Sequence, residues 1–239
     1  MASRVPTIDE IKSMSFNEPG LHAVPAAEAA VSERALFLQR TYTWLLGGIL
    51  GFCGVLMAWD NAPVLQDLTR GLYGNFIIPL VVLIGMAWFA HAVAEKHPLN
   101  IVAYALYVLV FGLLIAPLVY MAKDVHITQA AVVTGVTFIG LTAYVFKSGK
   151  DFSFLGGALA VGLFGLIAVA IAGWIFGFSV GLGFSVVAAI LFAGYILYDT
   201  SRILHHYPTT AHVSAAIVLF VDVVLLFKHL LILFMSRDD

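Results

Sequence analysis

The chain has 239 residues, of which 62% are hydrophobic and only 11% are charged, and its mean hydropathy is +0.99. A soluble domain normally carries about 25% charged and about 45–50% apolar residues, so this surplus of apolar side chains indicates a lipid environment. The net charge of −2 gives no sign of a nucleic-acid partner. Composition therefore argues against a soluble domain. It predicts one polytopic membrane domain that is embedded in the lipid bilayer.

The N-terminal residues differ from the rest of the chain. Residues 1–33 are polar and include Pro6, Pro19 and Pro25. They lack the apolar core of a signal peptide, so we expect the first apolar span to be retained and to direct insertion. We interpret residues 1–33 as a flexible cytoplasmic tail and residues 34–239 as the transmembrane domain.

Seven apolar stretches follow this tail. They cover residues 35–59, 75–94, 99–122, 127–146, 154–176, 178–203 and 211–235, and the longest loop opens at Asp60-Asn-Ala-Pro63. Each stretch is near the roughly 20 residues that a helix needs to cross the hydrocarbon core. Backbone polar groups in lipid must be satisfied within the segment, and the sequence lacks the short alternating segments of a barrel. The predicted fold class is therefore all-α, a bundle of seven transmembrane helices.

Basic residues predict the orientation of the bundle. The tail and the even-numbered loops hold eight of the twelve Lys and Arg residues: Arg4, Lys12, Arg34, Arg40, Lys96, Lys147, Lys150 and Arg202. The other four, on the opposite side, are Arg70, Lys123, Lys228 and Arg237. The positive-inside bias then places the N terminus in the cytoplasm and the C terminus outside.

Two acidic residues lie inside predicted spans. Asp199 is toward the cytoplasmic end of span six, and Asp222 is near the middle of span seven. An aspartate at a helix centre costs about 2.5–3.5 kcal/mol on insertion scales, so each should face the bundle interior and have a partner. The two spans are joined by a short loop centred on Pro208. At about 1.5 Å per residue, both aspartates should therefore lie at comparable depth.

Such a pair has a specific chemistry. Two carboxylates close together in low dielectric cannot both stay ionised cheaply, so the pair would share a proton or hold a cation. This predicts a pH sensor or gate, and a weak calcium site, at Asp199 and Asp222. Two carboxylates fill only part of the roughly six to eight oxygen positions around calcium, so we expect transient rather than tight binding.

Simpler interpretations of the same residues stay open. Asp199 could be an interfacial residue at a wet span end, and Asp222 could be an internal hydrogen-bond anchor. Arg202, one turn from Asp199, could be its ion-pair partner, which would favour the ionised carboxylate and oppose a shared proton.

The other polar motifs do not indicate an enzyme. His205, His206 and His212 cluster between spans six and seven without the H-E-x-x-H spacing of a zinc hydrolase. Lys147-Ser-Gly-Lys150 is not a phosphate loop, because Tyr144 and Asp151 stand where its first glycine and its Ser or Thr should be. We expect no enzymatic activity, no cofactor other than transient Ca²⁺, and an interfacial or proton-sensing role for the histidines.

Four short motifs complete the sequence evidence: Arg40-Thr-Tyr42, Lys150-Asp-Phe-Ser-Phe-Leu-Gly-Gly157, Tyr198-Asp-Thr-Ser201, and the helix from Asp222 to Leu233. Together they resemble the Bax inhibitor-1 family, also called transmembrane BAX inhibitor motif proteins, and most closely its bacterial branch. The resemblance covers roughly residues 35–235 and implies a seven-helix bundle with the last helix central. It also implies that Asp199 and Asp222 match the family's paired aspartates, a pH-responsive latch that controls calcium leak.

The resemblance implies two functions. The first is a pH-sensitive passive cation leak channel in the inner (plasma) membrane, with calcium as the first candidate ion. The alternative is a non-transporting membrane regulator that binds a membrane-anchored AAA protease, because some bacterial members resemble partners of such a protease and use a flexible N-terminal tail. Some members also carry an intramembrane arginine in span two, where His91 is the polar candidate in this chain.

Overall fold

A computed structural model of the protein describes residues 25–73, 77–93, 96 and 98–237. Across these residues the chain is all-helical, with eight α-helices, one short 3₁₀ helix and no strand, which confirms the predicted all-α class. The α-helices are α1 (Val31–Trp59), α2 (Pro63–Tyr73), α3 (Ile77–Ala92), α4 (Leu99–Met121), α5 (Asp124–Ser148), α6 (Gly156–Phe176), α7 (Leu182–His205) and α8 (His212–Met235). The 3₁₀ helix Ser153–Leu155 precedes α6. Residues 1–24 of the predicted tail lie outside the described residues.

Six of these helices are long and apolar enough to cross a membrane: α1, α4, α5, α6 with its 3₁₀ turn, α7 and α8. The predicted span 75–94 corresponds to α3, whose 16 residues are fewer than the roughly 20 of a usual crossing. The part of the chain that the structure describes is therefore a multi-pass helical membrane domain, with six crossing helices by length and composition.

The last helix, α8, packs against α7, α1, α5 and α4. Its Phe220 is fully buried, and the ring centroids of Phe52, Tyr104 and Phe111 lie 6.2, 5.9 and 6.0 Å from its own, all at steep angles. Each edge-to-face pair contributes about 0.5–1.5 kcal/mol beyond the burial of its area. Among the remaining helices, α6 contacts α7, and α3 contacts α4 and α2.

Glycines with left-handed backbone end two of the helices. Gly149 follows α5 with φ 60°, and Gly177 follows α6 with φ 72°. Glycine adopts this conformation at little cost, which is why it commonly terminates helices. The turn after Gly177 is longer than predicted. Residues 178–181 have no regular structure, so α7 begins at Leu182 rather than at residue 178.

The longest predicted loop contains a helix that the span analysis missed. Helix α2 begins at Pro63, where the missing N–H of proline costs no helical hydrogen bond. Its apolar residues Val64, Leu65 and Leu68 recur at helical spacing, but the segment is too short and too polar to read as a span.

Candidate functional site

Asp199 of α7 and Asp222 of α8 face each other in the interface between the two helices. Each has only 5% of its surface exposed. A short connection, residues 206–211, joins the helices, so they run antiparallel and the two side chains reach similar depth. The two carboxyl groups line one cavity and are close enough for each to change the electrostatic environment of the other. Two carboxylates this close in a low dielectric cannot both stay ionised at low cost, so the pair favours a proton or a cation.

The two acids line a cavity of about 370 Å³ inside the membrane domain. Its wall is mostly apolar, and its other polar side chains are Tyr107, Tyr195, Tyr207 and Ser214. Among the described residues, neither Oδ2 of Asp222 nor Oγ of Ser214 has a hydrogen-bond partner. A buried polar oxygen without a partner costs about 1–3 kcal/mol, so these oxygens favour a proton or a small cation beside them. Sequence reasoning found the acids but missed Ser214 and the tyrosines, although hydroxyl groups in apolar helices were the available signal.

Arg202 is placed as the ion-pair partner of Asp199. Its Nη1 lies 3.8 Å from Oδ1 of Asp199, with 41% of the arginine side chain exposed. The guanidinium lies over the rings of Tyr198 and Tyr207, at 5.4 and 5.6 Å from their centroids. A separation of 3.8 Å is too long for a hydrogen bond, and the two rings stabilise the cation in this position. The guanidinium therefore lies beside Asp199 while both carboxyl groups line the cavity.

The wall of the cavity is attached to the N-terminal segment. The N–H of Ala26 donates a hydrogen bond of 2.8 Å to the carbonyl oxygen of Tyr207, and Pro25 forms a β-bridge with Pro208. Ala26 is fully buried by this contact. Burial raises the pKa of the Tyr207 phenol, so this part of the wall is uncharged at neutral pH. No sequence motif predicts this contact, which joins two distant, irregular segments.

Asp151 fixes the loop between α5 and α6 to the end of α7. Its Oδ1 accepts the main-chain N–H of Ser153 at 2.8 Å, and its Oδ2 lies 2.8 Å from Nε2 of His206. The hydroxyl of Ser201 accepts the N–H of Phe152 at 2.8 Å. The hydrogen bond from Ser153 lowers the pKa of Asp151 to about 2, and the contact with His206 acts in the same direction. Asp151 is therefore an ionised anchor for this loop.

The rings of His205 and His206 are neighbours, with centroids 6.2 Å apart, and His229 lies elsewhere, on α8. Nδ1 of His205 is 2.9 Å from the carbonyl oxygen of Ser201, and the buried ring of His229 stacks on Phe192 with centroids 5.9 Å apart. Within the described ranges, no three His, Cys, Asp or Glu side chains are placed to hold a metal ion together. His91 belongs to α3, but its side chain is outside the described part of the structure.

A bundle of apolar helices with a carboxyl pair buried in its interior defines a multi-pass membrane protein with an intramembrane acid site. The family model described as "Inhibitor of apoptosis-promoting Bax1" matches residues 34–239. The chain therefore belongs to the Bax inhibitor-1 family, as its motifs predicted.

Curated relatives agree with this assignment. The chain is 30% identical to Bax inhibitor 1 of Schizosaccharomyces pombe, over 96% of this chain and 84% of the relative. It is 33% identical to the Golgi anti-apoptotic protein of vaccinia virus (strain Lister), over 86% of this chain and 87% of the relative. An uncharacterised protein of Campylobacter jejuni is 32% identical, over 84% of this chain and 88% of its own length, so the family likeness extends to bacterial proteins.

Proposed function

We propose that the protein is a pH-sensitive passive cation leak channel, with calcium as the first candidate ion and the Asp199–Asp222 pair as its gate. The observation that carries this proposal is the placement of two largely buried carboxyl groups on one cavity of the membrane domain. Calcium prefers ionised carboxylate oxygens, and a proton held by the pair competes for the same oxygens. The cation and the proton therefore exclude each other at this position.

The ion would be held weakly. Two carboxylates supply only part of a calcium coordination shell, so the hydroxyl of Ser214, the phenols of the cavity wall and water must complete it. Weak and incomplete coordination suits ion conduction better than tight ion binding, because a conducted ion must leave the site as readily as it enters. In this account Ca²⁺ is cargo rather than a resident cofactor, and the protein is not an enzyme.

The proposal includes a full topology. We place α3 across the membrane as the seventh span, because its residue Ala90 lines the cavity together with residues of α4, α6, α7 and α8. We place α8 at the centre of the bundle, which fits its contacts with four other helices. The distribution of basic residues then supports an N terminus in the cytoplasm and a multi-pass protein of the inner (plasma) membrane.

Calcium flux into liposomes tests the proposed activity. Purified protein is reconstituted, and uptake is recorded across pH 5–8 against empty liposomes and against the double variant Asp199→Asn with Asp222→Asn. The proposal expects a leak above background that changes with pH in the wild-type protein only. No leak from folded protein at any pH would contradict it.

The alternative is a non-transporting regulator that binds a membrane-anchored AAA protease through its N-terminal tail. One contact favours a role for the tail: Ala26 connects it to Tyr207 at the wall of the carboxyl cavity. Deleting residues 1–24 removes most of the tail and keeps this contact. Under the channel proposal the calcium leak survives the deletion. Under the alternative, proteolysis of a membrane substrate by the protease no longer responds to the protein.

A further inference from the structure

One face of α2 is fixed to the bundle by Thr69. The hydroxyl of Thr69, a residue only 3% exposed, accepts a hydrogen bond of 2.9 Å from the indole N–H of Trp59. The same hydroxyl donates to the carbonyl oxygen of Leu65 at 2.8 Å and lies 3.5 Å from that of Leu113. Leu113 precedes Pro117 by one helical turn, and proline has no N–H for that carbonyl. Thr69 therefore holds α2 against α4 at the Leu113 carbonyl, which receives no helical hydrogen bond from Pro117.

The other two faces of α2 are opposite in character. Val64 and Leu68, one turn apart, are 71% and 52% exposed. Asp67 and Arg70 form an ion pair of 2.6 Å with side chains that are 70% and 75% exposed. At about 100° per residue, the centre of the Asp67–Arg70 pair lies roughly 110° around the helix from the centre of Val64 and Leu68, and Asp67 is about 60° from Val64. The helix thus has a protein face, an apolar exposed face and a charged exposed face.

The aromatic residues beside α2 mark its depth in the membrane. Trp59 packs on Tyr120 with ring centroids 4.9 Å apart, and the Tyr120 hydroxyl donates to the carbonyl oxygen of Leu56 at 3.1 Å. Amphipathic aromatic rings prefer the boundary between headgroups and acyl chains. Because Thr69 is bonded to Trp59, α2 lies at the same depth. Its 11 residues extend for only about 16 Å, too short to cross the bilayer.

We propose that α2 is an interfacial helix whose binding partner is the lipid surface. Val64 and Leu68 insert at the boundary between headgroups and acyl chains, and Asp67 and Arg70 stay in water. Met57, near the end of α1 and separated from α2 by residues 60–62, is likewise 75% exposed. The charges of Asp67 and Arg70 cancel, so apolar burial rather than attraction to anionic lipid drives the insertion.

Spin-label accessibility tests this assignment in the full-length protein. Cys53 is first replaced by alanine, and single cysteines are then introduced as Val64→Cys, Leu68→Cys, Asp67→Cys and Arg70→Cys. Each variant is checked for folding by gel filtration, reconstituted into neutral phosphatidylcholine vesicles, labelled, and exposed to oxygen and to a water-soluble nickel chelate. Met57→Cys serves as the lipid reference and Lys150→Cys as the water reference.

The proposal expects positions 64 and 68 to favour oxygen severalfold over the nickel chelate, as at Met57. Positions 67 and 70 should match Lys150. Two results would overturn it. Nickel accessibility at 64 and 68 equal to that of Lys150 would place this face in water. Protection of both positions from both reagents would mean that protein, such as a second copy of the chain, covers the face instead of lipid.

Discussion

The main-chain N–H of Ala26 and the carbonyl oxygen of Tyr207 are joined by a hydrogen bond of 2.8 Å. Tyr207 also lines the cavity that holds Asp199 and Asp222, and its ring contacts Arg202. The beginning of the described chain is therefore mechanically connected to the wall of the acid site. A movement of the N-terminal segment should therefore displace Tyr207 in the cavity wall.

Replacing Ala26 by proline should loosen this wall. Ala26 is the second residue of a turn closed by the hydrogen bond from Glu28 N–H to Pro25 O, and proline is favoured at this position. Ala26→Pro therefore keeps the turn and removes the donor to Tyr207. A net hydrogen bond is worth about 0.5–1.5 kcal/mol, so we expect the calcium leak to rise about two- to tenfold. Ala26→Ser, which keeps the N–H, is the control, and equal leak from both variants would show that the contact has no influence on the cavity.

Removing the charge of Arg202 should make the acid site easier to reach for cations. The guanidinium lies 3.8 Å from Asp199 and is partly exposed, so it repels an approaching cation. We expect Arg202→Gln to increase the calcium leak a few-fold at low ionic strength, and less at high ionic strength because salt screens the charge. Arg237→Gln removes one positive charge after the far end of α8 and is the control. Identical wild-type and Arg202→Gln rates at low salt would mean that Arg202 does not lie on the ion's route.

Asp151 should stabilise the fold above its ordinary pKa and lose this effect in acid. Its pKa is lowered from 3.8 to about 2, chiefly by the N–H of Ser153. A lowered pKa in the folded state gives stability that is fully present above pH 4 and disappears as pH falls toward 2. We therefore expect Asp151→Asn to lower the melting temperature above pH 4, with a difference that shrinks below it.

The comparison is made in a His206→Gln background, because His206 contacts Asp151 and would otherwise contribute to the difference. Melting of detergent-solubilised protein is followed by tryptophan fluorescence from pH 2.5 to 8. A difference that grows as the pH falls below 4 would have the wrong sign for this account. It would mean that the folded state does not favour the ionised carboxylate.

Phe220 should be a principal source of stability in the bundle. Its ring is fully buried among Phe52, Tyr104 and Phe111. Truncating a buried phenylalanine to alanine costs about 3–5 kcal/mol, and we expect Phe220→Ala to fall in this range. Phe176→Ala is the control, because Phe176 is 78% exposed at the end of α6. Unfolding by titration with dodecyl sulfate measures both, and equal losses would contradict the assigned core.

Much of this fold could be predicted because the dominant signal is local. The apolar runs have the length of a membrane span and are separated by helix-breaking residues such as Pro98 and Gly149. Their positions predicted the bounds of every long helix to within a few residues. Helix α2 was missed because the segment is too short and too polar to be recognised as a span. The end of α6 was located correctly, but the extended course of residues 178–181 depends on the left-handed backbone at Gly177.

The acid site could be predicted only in part. Asp199 and Asp222 are conspicuous because ionisable residues are costly inside apolar helices. Tyr207 and Ala26 have no such signature, since they lie outside the helices and their contact joins distant segments. The role of the aspartate pair in gating stays a prediction, because burial and contact alone do not reveal whether an ion passes.

The most direct test of the central claim is the pH profile of calcium leak for Asp222→Asn. Asp222→Asn and Asp67→Asn, whose aspartate is exposed on α2, are reconstituted beside the wild-type protein and assayed from pH 5 to 8. The account predicts that the leak of wild type and Asp67→Asn changes with pH, and that the leak of Asp222→Asn does not. An Asp222→Asn profile that superimposes on that of the wild type would contradict the proposal that this carboxyl pair senses the proton.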